Sequence, residues 1–221
     1  MSIKNFPCVP CIPWLPEKTL FGKAIPKAKF YEKLPETPMV KRAFVNEIAQ
    51  IVWRNKLSPE TLNVQPGNRV KELEVIEVEL KGEALNETVL KTIDRGIPYQ
   101  LLFLLKRGEE YQACMGYKES ESSAVKEYYR TDWLTLDELP LQISGLTLDE
   151  VCDNFIRQIH GELQPTETGD LKTELTAARE RDKLQKKIAQ LENKLLHEKQ
   201  FKKQLEIRQQ INEHQKWLNN E

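Results

Sequence analysis

Glu77-Val78-Glu79-Leu80-Lys81 sets two carboxylates and an amine at alternating positions. On a strand, residues two apart share a face. Glu77, Glu79 and Lys81 would then converge as they do in metal-dependent nucleases of the E-x-K type, where such groups hold one metal ion and one scissile phosphate. That chemistry also needs a carboxylate from a preceding strand or loop. Residues 62–68 supply none, and Glu47 and Glu60 stand at no informative spacing. Alternating Glu and Lys is more commonly a solvated strand face. The expectation is that these three residues are not catalytic.

A second pattern is Cys8-Val9-Pro10-Cys11. A tetrahedral zinc site needs four ligands, and no second CxxC follows. Cys114 falls within a predicted strand and Cys152 within a predicted helix. A redox pair should open a helix beside a strand, whereas prolines surround this one. Cys8 and Cys11 are therefore weak metal candidates, and no cofactor is expected. The three histidines, His160, His197 and His214, sit at helix ends or in the charged C-terminal region. No G-x-S-x-G, GxGxxG or GxxxxGK[ST] occurs. Asp94-Arg95-Gly96 and Tyr128-Tyr129-Arg130 are polar enough for a site, but helix capping and edge-strand exposure explain them equally well.

The elements that must position these residues follow from periodicity. Residues 1–35 contain six prolines and read as an extended arm. Phe6, Trp14, Leu15, Phe21, Phe30 and Tyr31 are too apolar for a solvated tail, so the arm is expected to lie on its own domain. Thr37 and Pro38 open a helix, on which Val40, Phe44, Ile48 and Ile51 share a face. Ser58-Pro59-Glu60 starts a turn, and Leu62-Asn63-Val64 reads as a short strand. Residues 72–81 alternate as a strand. Leu85, Val89 and Ile93 mark a helix begun near Asn86 and closed by Gly96. Residues 99–105 form a strand covered on both faces, joined through Lys106-Arg107-Gly108-Glu109 to a partner over residues 111–118. Another strand is expected over 126–133. Thr147 and Glu150 form a capping box ahead of a helix burying Leu148, Val151, Phe155 and Ile159.

The predicted fold over residues 36–160 is therefore one α/β domain around a mixed sheet with flanking helices. Residues 161–170 are the hinge, and residues 171–221 form a charged, coiled-coil-like helix without Gly or Pro. Leu184, Ile188, Leu191 and Leu195 have the spacing of a coiled-coil seam, which Phe201 and Leu205 continue after a change of register. One helix cannot bury such a seam, so intermolecular pairing is expected, with self or with a partner.

Charge is unevenly spread. The 221 residues carry a formal net charge of −1, made of +4 over 1–35, −9 over 36–170 and +4 over 171–221. The acidic body opposes a phosphate backbone, so any nucleic-acid contact should be weak or indirect and should use the ends. No run approaches the ~18–20 apolar residues of a membrane span. With no export signal and few cysteines, the expected location is the cytoplasm.

Several segments, taken in order, carry a resemblance: Thr19-Leu20-Phe21-Gly22-Lys23, Val52-Trp53-Arg54-Asn55-Lys56-Leu57, Ile93-Asp94-Arg95-Gly96-Ile97-Pro98-Tyr99, Gly116-Tyr117-Lys118-Glu119, Asn154-Phe155-Ile156-Arg157-Gln158-Ile159 and Glu198-Lys199-Gln200-Phe201. The chain resembles a bacterial and archaeal domain-of-unknown-function family that joins a compact N-terminal domain to a charged helical C-terminus. The resemblance implies a setting beside SNF2-type helicases and DNA methyltransferases, in islands like restriction or phage-defence systems. It transfers no catalytic residues, and the Cys8/Cys11 pair is not part of its pattern. The functional expectation is a non-catalytic accessory or assembly subunit docking on a helicase-like protein, with a DNA methyltransferase as a further partner. The alternatives are an E-x-K nuclease and a homodimeric coiled-coil scaffold.

Overall fold

The computed structural model describes residues 11–31, 37–120, 123–163 and 169–219. It divides into two units, residues 1–161 and residues 162–221.

The first unit is built on six strands: β1 (Leu20–Ala24), β2 (Ile48–Leu57), β3 (Leu73–Leu80), β4 (Gln100–Arg107), β5 (Glu110–Gly116) and β6 (Tyr128–Arg130). Their order in the sheet follows the chain. Every neighbouring pair is antiparallel except β3 and β4, which run parallel. A parallel pair needs a crossover, and α4 (Glu87–Gly96) supplies it. The mixed sheet with flanking helices is thus the architecture expected from the sequence.

Three short or medium helices, α1 (Ala28–Tyr31), α2 (Pro38–Glu47) and α4, cover one face of the sheet. Phe30, Phe44, Val89, Leu90 and Ile93 from these helices pack with Ile48, Ile51, Ile76, Val78, Phe103 and Leu105 from the strands. Helix α5 (Leu148–His160) packs against β5 and β6. Its Thr147 N-cap accepts from the Glu150 amide, while the Glu150 carboxylate accepts from Leu146 N rather than closing on Thr147. Trp14 meets Phe155 edge-on, with ring centroids 5.9 Å apart.

Several sequence expectations change. The helix begun at Pro38 stops at Glu47, and Ile48 and Ile51 belong to β2. Both remain fully buried, because the strand points them at the core that Val40 and Phe44 already face. The β-branched Ile48, Ile51 and Val52 favour a strand, and pairing with β3 completes it. Leu62-Asn63-Val64 is not a strand: Leu62 ends the one-turn helix α3 (Pro59–Leu62), and Asn63 closes it in the left-handed conformation at φ 58°. The strand expected over 126–133 shrinks to β6. Within the arm, Leu20–Ala24 is the edge strand of the sheet, and Phe21 packs on Trp53 at 4.2 Å between centroids.

Gly96 is the last residue of α4, and its role is not a left-handed cap. A Cβ there would lie 3.1 Å from the Phe30 ring. Its small size lets α1 close on the end of α4.

In the second unit, α6 (Leu171–His197) and α7 (Phe201–Asn219) replace the single helix of about 50 residues. The helix breaks at Glu198, whose backbone is extended and whose side chain accepts from Gln200 N at 2.9 Å. Helix α7 folds back along α6, so Ile188 and Leu191 are buried against Ile211, with Leu195, Ile207 and Leu218 beside them. No helix among the described residues is long and apolar enough to cross a membrane.

Candidate functional site

The E-x-K residues do not meet. Glu77 is buried on β3, and its carboxylate accepts from Nη1 of Arg54, a fully buried residue at a register shift of β2. Glu79 is partly exposed and lies 3.9 Å from Lys106. Lys81 follows the strand and donates from Nζ to the Val45 carbonyl at 2.7 Å. Glu47 accepts from Asn86 N, and Glu60 accepts from the Ser58 hydroxyl. Of the three, only Glu77 is buried; Glu79 is partly exposed and Lys81 is exposed. Each motif residue therefore has its own structural neighbour.

Of the cysteine pair, Cys8 lies outside the described residues and Cys11 is exposed. Among the described residues, no group of three or more His, Cys, Asp or Glu side chains is arranged to hold a metal. Cys114 and Cys152 are buried, and burial pushes each thiol up to about 12, far from a reactive thiolate.

Of the seam residues, Ile188 and Leu191 are buried within the hairpin, and Leu184 and Leu195 are half-buried. Phe201 and Leu205 remain exposed.

What the fold does bring together is Asp94, Lys118 and Tyr128, drawn from α4, the segment after β5, and β6. All three are buried. Tyr128 donates its hydroxyl proton to Asp94 Oδ2, and Lys118 Nζ lies 2.7 Å from Asp94 Oδ1. Lys118 also donates to the Tyr99 carbonyl at 2.8 Å, tying the ion pair to the start of β4. Burial raises the Asp94 carboxyl above its ordinary range, and the Lys118 ammonium opposes that shift. The Tyr128 phenol is raised too, by burial and by the neighbouring Asp94. Asp94 is therefore not a surface cap, and Tyr128 is not an exposed edge residue.

These three groups floor a cleft of about 600 Å³, with Thr88, Lys91 and Arg95 along its α4 side. Its opposite wall includes Val125, which sits over Gly116 so closely that a Cβ on that glycine would lie 2.2 Å from Val125 Cγ1.

Arg95 and Pro98 also border a second cleft of about 490 Å³, which contains Trp53, Glu74 and Tyr99. Glu74 is fully buried, and its Oε2 accepts from Trp53 Nε1 at 2.6 Å. Its Oε1 has no hydrogen-bond partner among the described residues. Burial pushes this carboxyl up to about 7; the Trp53 hydrogen bond opposes the shift, and nearby Glu72 adds to it. The signal for Glu74 was present in the sequence as the one charged residue on the face it shares with Ile76, Val78 and Leu80. Nothing local marked Lys118.

The family model described as Domain of unknown function (DUF4391) matches residues 14–218, and the chain belongs to that family. No curated protein and no solved structure matches it.

Proposed function

With that membership as premise, we propose that the protein is a non-catalytic accessory subunit of a multi-protein bacterial DNA-processing or phage-defence system. It docks on a helicase-like partner. The observation that carries this reading is the apolar surface at the turn end of the helical hairpin. Leu196 is 82% exposed, Phe201 71% and Leu205 49%. The hairpin has already buried Ile188, Leu191 and Ile211 in its own seam, so these remaining side chains do not serve its internal packing. Exposed apolar groups clustered at one end favour contact with another protein. The separate engagement of Glu77, Glu79 and Lys81 supports a subunit over a nuclease.

The test is co-expression with a SNF2-type helicase encoded beside it, followed by light scattering. A stoichiometric complex is expected, and the Phe201→Glu/Leu205→Glu variant should fail to form it while keeping native helicity. No complex with the helicase, or one indifferent to this double change, overturns the proposal. A dimer of this chain alone that the same change dissolves favours the homodimeric scaffold.

A further inference from the structure

The turn end of the helical hairpin carries charge as well as apolar surface. Residues 194–208 hold Lys194, Lys199, Lys202, Lys203 and Arg208, all exposed, against Glu198 and Glu206, a net +3. None of the five cations makes an ion pair among the described residues. Glu198 uses its carboxylate on the turn itself, accepting from Gln200 N at 2.9 Å. The tip is therefore a cationic surface with its charge uncompensated.

Phe201, Leu205 and Arg208 stand at i, i+4 and i+7 of α7 and share one face. Ile207, Ile211 and Leu218 belong to the seam with α6. At about 100° per residue, the two stripes lie roughly 100° apart around the helix. The exposed stripe is thus distinct from the seam, with Lys202 on its far flank and Lys199 in the turn before it. Leu196 adds an 82% exposed side chain from the last turn of α6. Beyond Arg208 the same face continues with Asn212 and Gln215, so its apolar part is short.

A duplex phosphate backbone would engage the cations but gain nothing from Leu196 or Leu205. A single strand needs stacking platforms, and Phe201 is the sole Phe, Tyr or Trp in the segment. An anionic membrane takes a helix with a long apolar face, and this one ends within two turns. A protein groove takes a few apolar anchors at helical spacing. Lysine belongs to the rim of such an interface and is depleted from its core.

We propose that the hairpin tip docks in an apolar groove rimmed by carboxylates on the partner protein. Phe201, Leu205 and Leu196 fill the groove, and Lys199, Lys202 and Arg208 meet the rim. This partner is the helicase-like protein of the accessory-subunit reading, on which the inference rests. The two kinds of group act on different rates. Attraction between the cations and the acidic rim speeds encounter, whereas the apolar anchors slow separation.

Association and dissociation rates of the full chain with the SNF2-type helicase encoded beside it test this. They are measured at about 0.05 M and about 0.5 M NaCl, either side of the ionic strength where screening acts over about 10 Å. Lys199→Glu/Lys202→Glu should slow association about tenfold or more at the lower salt, with dissociation changed less than about threefold. At the higher salt the difference in association should shrink below about threefold. Leu205→Ala should instead speed dissociation at both salts and leave association unchanged. All three positions are exposed, and circular dichroism should show native helicity in both variants. Association indifferent to the charge reversal, or dissociation indifferent to Leu205→Ala, overturns the acidic-rimmed groove and leaves the accessory-subunit reading standing. No complex with the helicase overturns both. A DNA duplex or a phosphatidylserine vesicle bound by the chain alone at physiological salt, and released by the same charge reversal, assigns the lysines to phosphate and overturns the proposal.

Discussion

Arg54 and Glu77 form a buried ion pair across β2 and β3, with the guanidinium also 5.8 Å from the centre of the Tyr111 ring. A buried pair contributes less than its contact suggests, because both ions were stripped of water to make it. Removing one partner is another matter. Glu77→Leu should cost about 3–5 kcal/mol in urea unfolding, since the buried guanidinium loses its carboxylate. Arg54→Leu/Glu77→Leu should cost clearly less than Glu77→Leu alone. A double variant worse than the single would refute this account of the pair.

Glu79 and Lys81 are the converse case. Glu79 stands 3.9 Å from a partly exposed lysine, and Lys81 makes one exposed hydrogen bond. Glu79→Ala/Lys81→Ala should change stability by at most about 1 kcal/mol. Function of the assembly should survive it. Metal-dependent DNA cleavage by the wild type, abolished in the folded variant and assayed with Mg²⁺ or Mn²⁺, would restore the nuclease reading.

Glu74 predicts a pH dependence. Burial lifts its carboxyl from 4.5 to about 7 in the folded chain, where Trp53, Glu72 and Lys56 act on it. Between those values the folded state holds a proton that the unfolded state releases. Its contribution is therefore most favourable below about pH 4.5 and is lost as pH rises through about 7. Glu74→Gln removes that loss. The variant's melting temperature relative to wild type should climb from pH 5 to pH 8, and a constant offset across this range would count against the shift.

Gly116 is a packing constraint at the wall of the larger cleft. A Cβ there would lie 2.2 Å from Val125 Cγ1 and 3.1 Å from the Glu127 carbonyl oxygen. Gly116→Ala should destabilise by about 1–3 kcal/mol, as overpacking does. Gly116→Ala/Val125→Ala should recover part of that loss in thermal unfolding. No recovery would locate the strain elsewhere.

What the sequence determined by itself was local. The amphipathic spacing of Val89 and Ile93 after Asn86 marked α4, whose cap the structure closes with Thr88 N donating to Asn86 Oδ1 at 2.9 Å. Thr147 marked α5, the run Leu101 to Leu105 marked a doubly covered strand, and the Gly- and Pro-free C-terminus marked helix. In each, the pattern and the force that fixes it lie within one element. Ile48 and Ile51 show where that logic ends: their spacing continues the helical period from Val40 and Phe44, because strand and helix happen to face the same core. Pairing with Leu80 and Val78 on β3 decides between the two, and no local window contains it. The C-terminal break is similar, since α7 returns to cover Ile188 and Leu191, contacts set by residues about 20 positions away. The clefts are the extreme case. Asp94 and Tyr128 are 34 residues apart, and Trp53 and Glu74 are 21 apart. Burial and sheet register alone make them neighbours, so only the tertiary structure could assemble them.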